Sequence, residues 1–420
     1  MAQRHQATYK MITGLLDSSH LMTLDQLPVC VTTYAAAAGL HDILIYLCDV
    51  RQDVLRLLTG SGPGTAGPAG TGPPELSVDS TLAGRGFQHG EVLLVPRPGQ
   101  ERPGERQWWV PLLDGTERLG MMRVTAASDD AHTRRDIECL ASLIALIIVT
   151  KSVHSDSHAA LVRTRPMNVA AEMQWQLMPP RAYADSHVVI GAAMEPAYEN
   201  AGDAYDYATT DGLVHLAIFD AMGHDTAAGL TANLAVAACR SHRRRGAGLI
   251  ETGEGIERTL LDHLDRSYVT AVLATLDTRT GLLTWISHGH HPPVVIRGGR
   301  WTTQLNCPPA PPLGTALGLP ATLCRERLQP GDRLVLHTDG ITEARDSDGR
   351  EFGLDGFLDF LLRHHADNLS VPETLRRLVR SILDRHHGTL RDDATVLLLE
   401  WHGPTPFDPG EAETLVGLPE

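Results

Sequence analysis

His215–Asp225 reads HLAIFDAMGHD, an apolar run with the composition of a buried strand, closed by an aspartate and followed at once by Ala-Met-Gly-His-Asp. A carboxylate at the mouth of a strand is costly to desolvate unless it is paired or holds a cation. Either something cationic sits at this strand end or the strand simply stops there. The same question returns at VLHTDG, where Asp339 closes a second apolar run, and at RDDATVLLL, where Asp392 and Asp393 precede a third. NAGDAYD adds Asp203 and Asp206 beside a glycine. Taken singly, each has an ordinary structural explanation, because Asp-Gly is a common turn pair and Asp a frequent cap between strand and helix.

All of these segments lie beyond Pro179-Pro180, which end a helical pattern firmly. From there the chain alternates short Val-, Ile-, Thr- and Leu-rich stretches, such as HVVIGAAM, YVTAVLATLD, LLTWISHG and ATVLLLEW, with turn residues. Helical patterns fall at Thr226–Arg240, Gly255–Arg266, Leu354–His365 and Pro372–Arg385. The expected fold class is α+β, with sheets covered by helices on their outer faces. Before Pro179, DQLPVCVTTYAAAAGL reads as an amphipathic helix, and DILIYLCDV and DVLRLLTG as strands about the turn Arg51-Gln52-Asp53. Asp114-Gly115 marks a hairpin in RQWWVPLLDGTERLGMMRVTA. Ile137, Leu140, Ile144 and Ile148 recur at helical spacing, in a pattern that continues with breaks to Met178. Gly60–Pro74 holds too little apolar content to order itself, and the residues after Trp401 have the Pro, Gly and acidic content of a disordered tail.

A chain of 420 residues exceeds the usual size of one domain, so two are expected. A net charge of −15 argues against nucleic acid or an anionic membrane as the main partner. The longest apolar run, Leu140–Val149, is too short to cross a bilayer, and the N-terminus shows no secretory pattern. Cys30, Cys48, Cys139, Cys239, Cys307 and Cys324 form no C-x-x-C pair and are expected to be small buried hydrophobes in a reducing cytoplasm.

Considered together, the aspartates suggest more than caps. Carboxylates gathered at strand ends repel one another unless divalent ions sit among them. Oxygen donors without Cys or paired His select Mg²⁺ or Mn²⁺ over zinc. Two such ions can activate a water and polarise a phosphoryl oxygen, the chemistry of a phosphate-ester hydrolase. A competing zinc site is offered by His288, His290 and His291 in SHGHHPP, since alternating strand residues share a face. The cluster RSHRRRGAG at Arg240–Gly248 reads as a solvated helix end, with phosphoprotein docking as the alternative.

AEMQWQLMPP, AGDAYDY, FDAMGHDTAAGLTANL, the YVTAVLATLD to HHPPVVIR stretch, PPLG, LQPGDRLVLHTDGITEARDSDGREFG and RDDATVLLLEW stand in an order that resembles the metal-dependent protein phosphatases, PPM or type 2C-like, in their bacterial SpoIIE-like branch. The resemblance implies a β-sandwich flanked by helices, spanning 181–403, and two Mn²⁺ or Mg²⁺ ions. It carries metal-ligand roles over to Asp203, to Asp220 as the bridging residue, to the carbonyl of Ala221, to Asp339, and to Asp392, with Asp393 a less certain partner. The implied reaction is hydrolysis of phosphoserine or phosphothreonine by a metal-bridging hydroxide, with Asp220, Asp203 and Asp339 as catalytic residues and His224 as a candidate general acid. The implied substrate is a small phosphoprotein such as an anti-sigma-factor antagonist. The N-terminal residues 1–152 resemble a GAF domain, which implies a sensor or dimerisation module with room for a small ligand. Residues 153–180 would be a linker helix relaying its state, and 404–420 a disordered tail. A homodimer through the N-terminal region is compatible with this reading, although no heptad run supports it.

Two departures stand out. Ala201 replaces a glycine of the family's Gly-Gly-Asp, and Asp225 replaces the last glycine of Gly-His-Gly, adding a carboxylate near the proposed site. They keep open an alternative in which the fold turns over weakly and acts as a ligand-sensing binding module.

Overall fold

The computed structural model describes residues 2–60, 74–95, 105–195, 198–199, 202–223, 225–264, 267–345, 349–367, 369–385, 390 and 392–406. Ala201, His224, most of the Gly/Pro-rich run and the tail from 407 lie outside these residues. The chain divides into two compact units, Met1–Arg165 and Pro166–Ala412.

The first unit opens with α1 (Ala2–Ser19) and α2 (Leu27–Ala35), then runs through β1 (Leu40–Cys48), β2 (Val54–Leu57), β3 (Glu75–Ser77), α3 (Leu82–His89), β4 (Leu93–Val95), β5 (Arg106–Asp114), β6 (Glu117–Ala126), α4 (Ala131–Ser152) and α5 (Asp156–Val162). Its strands form one antiparallel sheet in the order β3-β2-β1-β6-β5-β4. The turn between β1 and β2 is built by Asp49, whose buried carboxylate accepts from the backbone N–H groups of Arg51, Asp53 and Val54. Alternation along β1 sends Ile45 and Leu47 into a core with α1, α2 and α4, and Tyr46 and Cys48 into a smaller one with Phe87 of α3. The long helical run expected through Met178 is broken where Ser155 and Asn168 act as N-caps, accepting from the N–H groups of His158 and Ala171.

The second unit contains α6 (Val169–Leu177), β7 (Ala182–Ala184), β8 (Val188–Glu195), β9 (Asp203–Thr210), β10 (Leu213–Ala221), α7 (Thr226–Arg244), α8 (Leu249–His263), β11 (Val269–Asp277), β12 (Leu282–His288), β13 (Val294–Arg297), β14 (Trp301–Gln304), β15 (Cys324–Arg327), β16 (Asp332–His337), the short α9 (Asp339–Thr342), α10 (Gly353–Ala366), α11 (Val371–Arg385) and β17 (Ala394–Trp401). One sheet has the order β15-β12-β11-β10-β9 and the other β14-β13-β16-β17-β8-β7. They face each other across a shared core. Leu334, Leu336, Leu397 and Leu399 point inward to meet the first sheet, while Val335, Val396 and Leu398 point outward beneath α10 and α11. Ala232, Ala235 and Val236 of α7 cover the opposite face of the first sheet. The result is a sandwich with helices on both outer faces, as the pattern of strands and helices predicts.

Two expectations need correction. Cys307 and Cys324 are joined in a disulfide, whereas Cys30, Cys48, Cys139 and Cys239 are free. Pairing of β15 with β12 folds the chain back, so that the two Cα atoms lie 5.9 Å apart, a proximity that sequence spacing does not encode. The basic cluster after Cys239 is also not simply a solvated face. Arg240 Nη2 and Arg243 Nη1 lie 2.7 and 2.5 Å from the carboxylate of Asp206, which is 1% exposed. Removing one partner of a buried pair leaves the other charge uncompensated. Asp206→Ala is therefore expected to cost about 3 kcal/mol or more of unfolding free energy in urea titrations; a loss below about 1 kcal/mol, the range of exposed pairs, would contradict this placement.

Candidate functional site

Pairing of β9 with β10 sets Asp203 directly opposite Asp220, and on its other side Asp220 faces Thr270 of β11. Like charges at directly opposed positions destabilise a sheet. In the second sheet, β16 runs into Thr338 and Asp339, and β17 begins just after Asp392 and Asp393. The backbones at these two strand ends touch. A Cβ at Gly340 would lie 1.9 Å from the carbonyl oxygen of Asp393, so only glycine allows the approach. A Cβ at Gly202 would likewise collide with the carbonyl oxygens of Gly223 and Ala221, at 2.6 and 2.9 Å. These contacts draw Gly202-Asp203, Ala221–Gly223, Asp339-Gly340 and Asp393 to one end of the sandwich.

The electrostatics are those of an uncompensated anionic cluster. Burial, followed by the charges of Asp220 and Asp393, raises the Asp203 carboxyl well above the ordinary range. Burial first, then Asp339, Asp392 and Asp393, pushes Asp220 up to about 7. No cationic side chain among the described residues enters either balance. What restrains Asp203 is neutral: the Thr338 hydroxyl donates to its Oδ2 at 2.6 Å, and Gln174 of α6 donates to its backbone oxygen at 2.8 Å. The N–H of Thr395 in turn donates to the Thr338 hydroxyl at 2.9 Å. Asp393 Oδ2 accepts from the N–H groups of Gly202 at 2.5 Å and Asp203 at 3.3 Å, so this carboxylate ties the Gly202-Asp203 turn to β17.

Donors that are all oxygen, with charge left unbalanced, fit hard divalent cations. Among the described residues, however, no three His, Cys, Asp or Glu side chains are gathered closely enough to hold a metal ion. Coulomb repulsion reaches further than coordination, so these carboxylates perturb one another without converging on one point.

The other candidates separate. Asp225 accepts from the N–H groups of Ala227 and Ala228, both at 3.0 Å, and so is the N-cap of α7. The zinc reading of SHGHHPP fails on geometry. Strand β12 stops at His288, and Gly289 takes φ +65°, so the alternation that would place His288 and His290 on one face is broken. His290 Nε2 donates to the His337 carbonyl at 3.1 Å, and its Nδ1 accepts from Thr270 at 2.7 Å, leaving no nitrogen for a metal. Thr338 and Gln174 were not singled out by sequence reading; Thr338 carried a signal only as the neighbour of Asp339, and Gln174 only as a member of the AEMQWQLMPP stretch.

Residues 210–402 match the family described as Stage II sporulation protein E (SpoIIE). The chain is 25% identical over 234 residues to the phosphoserine phosphatase RsbU of Bacillus subtilis, an alignment covering 56% of this chain and 69% of that protein. Similar solved structures include the RsbU and RsbW domains of a Mycobacterium tuberculosis protein, at 23% identity and TM-score 0.44, covering 55% of this chain and 64% of that one. The SiaA-PP2C domain of Pseudomonas aeruginosa is 21% identical with TM-score 0.44, covering 52% of this chain and 86% of that one. The match to the SpoIIE family model thus falls wholly within the second unit.

Two outcomes follow from the site. Because the Asp220 carboxyl titrates higher in the folded chain than in the unfolded one, its stabilising contribution is complete below the ordinary carboxylate range and is lost as pH rises through about 7. In EDTA the melting temperature should fall between about pH 5 and about pH 8; Mg²⁺ or Mn²⁺ should restore it, and Asp220→Asn should flatten the profile. A wild-type profile no steeper than that of Asp220→Asn would refute the assignment. With Asp203 as a metal ligand, the role that the resemblance implies, Thr338→Val should weaken Mn²⁺ binding, followed by thermal shift, by about 10-fold or more through loss of the group that orients it. Unchanged affinity would make Thr338 a packing residue only.

Proposed function

We propose that the chain is a divalent-metal-dependent phosphoprotein phosphatase acting on phosphoserine or phosphothreonine. The observation that carries this reading is the opposed pair Asp203 and Asp220 at the sandwich end, with raised carboxyls and no cation among the described residues to balance them. Asp203, Asp220, the Ala221 carbonyl, Asp339 and Asp392 would hold two Mn²⁺ or Mg²⁺ ions, and Asp393 would brace the Gly202-Asp203 turn. Bound there, the ions supply Lewis acidity to the phosphoryl group and lower the pKa of an attacking water. The chain's own part is to fix the carboxylates: Thr338 orients Asp203, and Gln174 pins the backbone behind it. His224 would deliver a proton to the leaving alkoxide.

The similarity to RsbU, a phosphoserine phosphatase, supports a phosphorylated regulatory protein as substrate, with an anti-sigma-factor antagonist as the specific proposal. The first unit, an antiparallel sheet with helices on both faces, is proposed as a GAF-like sensor that regulates the second and supports a homodimer. The hydrogen bond from Gln174 to Asp203 supports α6 as the element through which such regulation reaches the site. A second reading, a phosphatase fold that binds a phosphoprotein with little turnover, draws on the lack of a gathered ligand set among the described residues.

Phosphate release from a phosphoserine peptide separates the two. Activity is expected with Mn²⁺ or Mg²⁺, should vanish in EDTA, and should fall to background in Asp220→Asn. Absence of turnover with either ion, from a chain that still binds a phosphoprotein, would select the binding reading.

A further inference from the structure

The PPLG stretch, Pro311–Gly314, lies in the loop that joins β14 to β15, and the register of the first sheet sets it beside the carboxylate end. Ala221, next to Asp220, pairs with Val269 of β11, and Val269 exchanges two 2.9 Å backbone hydrogen bonds with Leu313. Two strand spacings, about 10 Å, therefore separate Ala221 from Leu313. The ground between them is apolar and exposed. Met222 donates its N–H to the carbonyl of Tyr268 at 3.1 Å, and both side chains reach solvent. A Cβ at Gly314 would lie 2.5 Å from the Ser267 carbonyl oxygen and 3.3 Å from Tyr268 Cα, so the loop presses directly on this segment.

Between this loop and α8 lies an open pocket of ≈240 Å³, lined by Ile250 of α8 and by Pro312, Leu313, Leu317 and Leu319 of the loop. Leu317 and Leu319 are 63% and 64% exposed. The backbone that carries them is fixed. Ala316 takes φ +57°, a left-handed conformation uncommon for a residue with a Cβ. Glu257 of α8 holds it there, accepting from the N–H of Ala316 at 2.8 Å and from that of Gly314. The Cys307–Cys324 disulfide closes the loop. Strained backbone held by its surroundings, with apolar side chains carried into solvent, marks a preformed contact surface.

Size and charge narrow the occupant. A cavity of about 150 Å³ holds benzene, so this one has room for a single leucine- or methionine-sized side chain. The charged residues of the lining are Glu254 and Glu257, with no Lys or Arg among the described residues. An acidic segment is therefore repelled, and an aliphatic side chain on a neutral or basic segment fits.

Resting on the phosphatase reading above, we propose that the pocket is a specificity site for the phosphoprotein substrate, taking an aliphatic side chain three or four residues from the phosphorylated residue. An extended chain advances ~3.3 Å per residue, so about three residues span the distance from Ala221 to Leu313, and the pocket continues beyond it.

The test titrates the full chain, with Mn²⁺ present, with peptides that carry a non-hydrolysable phosphonate in place of phosphoserine. A single leucine is moved through each position on either side of the phosphonate in a glutamine background, and binding is followed by fluorescence anisotropy. Leucine three or four residues away, on one side, is expected to tighten binding about 10-fold over glutamine, the gain from burying part of one aliphatic side chain. A glutamate beside that leucine should weaken binding, an effect that fades with added salt. Leu317→Gln combined with Leu319→Gln, with a melting temperature showing that the fold is retained, should erase the preference for leucine. Indifference to leucine, a preference only next to the phosphonate, a preference kept by the double variant, or no binding of any peptide would each overturn the proposal. So would sedimentation showing that the double variant converts a dimer to a monomer without any leucine preference in the wild-type chain, which assigns the patch to a second copy. Phosphate release from the matching phosphoserine peptides keeps the two readings apart. Leucine preference in binding without turnover upholds the pocket and counts against the phosphatase; turnover without leucine preference does the opposite.

Discussion

Two aspartates face each other across adjacent strands, Asp203 on β9 and Asp220 on β10, and the end of the sandwich is organised around that repulsion. A sheet tolerates opposed like charges only when something outside the pair compensates. The compensation visible in the chain is neutral: the hydroxyl of Thr338, an amide of Gln174, and backbone contacts that admit only glycine at 202 and 340. Such groups fix position without removing charge. In the proposed site a bound cation would supply the missing charge, while the geometry is held by side chains that do not compete for it.

The contrast with Asp206 shows that this is a choice of surroundings. Three residues along the same strand, Asp206 is equally buried, yet it meets the guanidinium groups of Arg240 and Arg243 on α7. One carboxylate is paired with cations within the chain and serves the packing of α7; the other has no cationic partner among the described residues at the strand end. Asp225 takes a third course, spending an oxygen on the first N–H groups of α7. Asp-rich sequence does not distinguish these fates, because the deciding partners arrive from elsewhere in the chain.

That explains which parts were legible beforehand. Helices α7, α8, α10 and α11 and the strands ending in Asp220 and Asp339 declared themselves through apolar periodicity, a local property. The strands of the second sheet read as continuous apolar runs because both faces are buried, one against the first sheet and one beneath α10 and α11. Helix α1 went unread, its apolar stripe being confined to positions such as Met11 and Leu15. The ion pair of Asp206 spans more than 30 residues, and the Cys307–Cys324 bridge depends on the pairing of β15 with β12. Both are products of tertiary structure. The carboxylates were legible as a set through their order along the chain, whereas the roles of Thr338 and Gln174 became visible only in hydrogen bonds.

The histidines of SHGHHPP carry the same lesson to the level of a single atom. Periodicity placed His288 and His290 on one face, and a left-handed Gly289 separates them. His290 turns inward, where the His337 carbonyl and the Thr270 hydroxyl take both ring nitrogens, and Thr270 is the residue opposite Asp220. Burial drives its pKa down to about 3, so it remains a neutral strut near physiological pH. His288 ends the strand against α8 with one nitrogen committed to Pro311 and the other bare. Two imidazoles separated by one glycine thus differ in the property that governs recognition. One has no hydrogen-bonding capacity left and can only support the carboxylate end of the sheet; the other keeps one nitrogen unmatched, packed against Gly253 of α8.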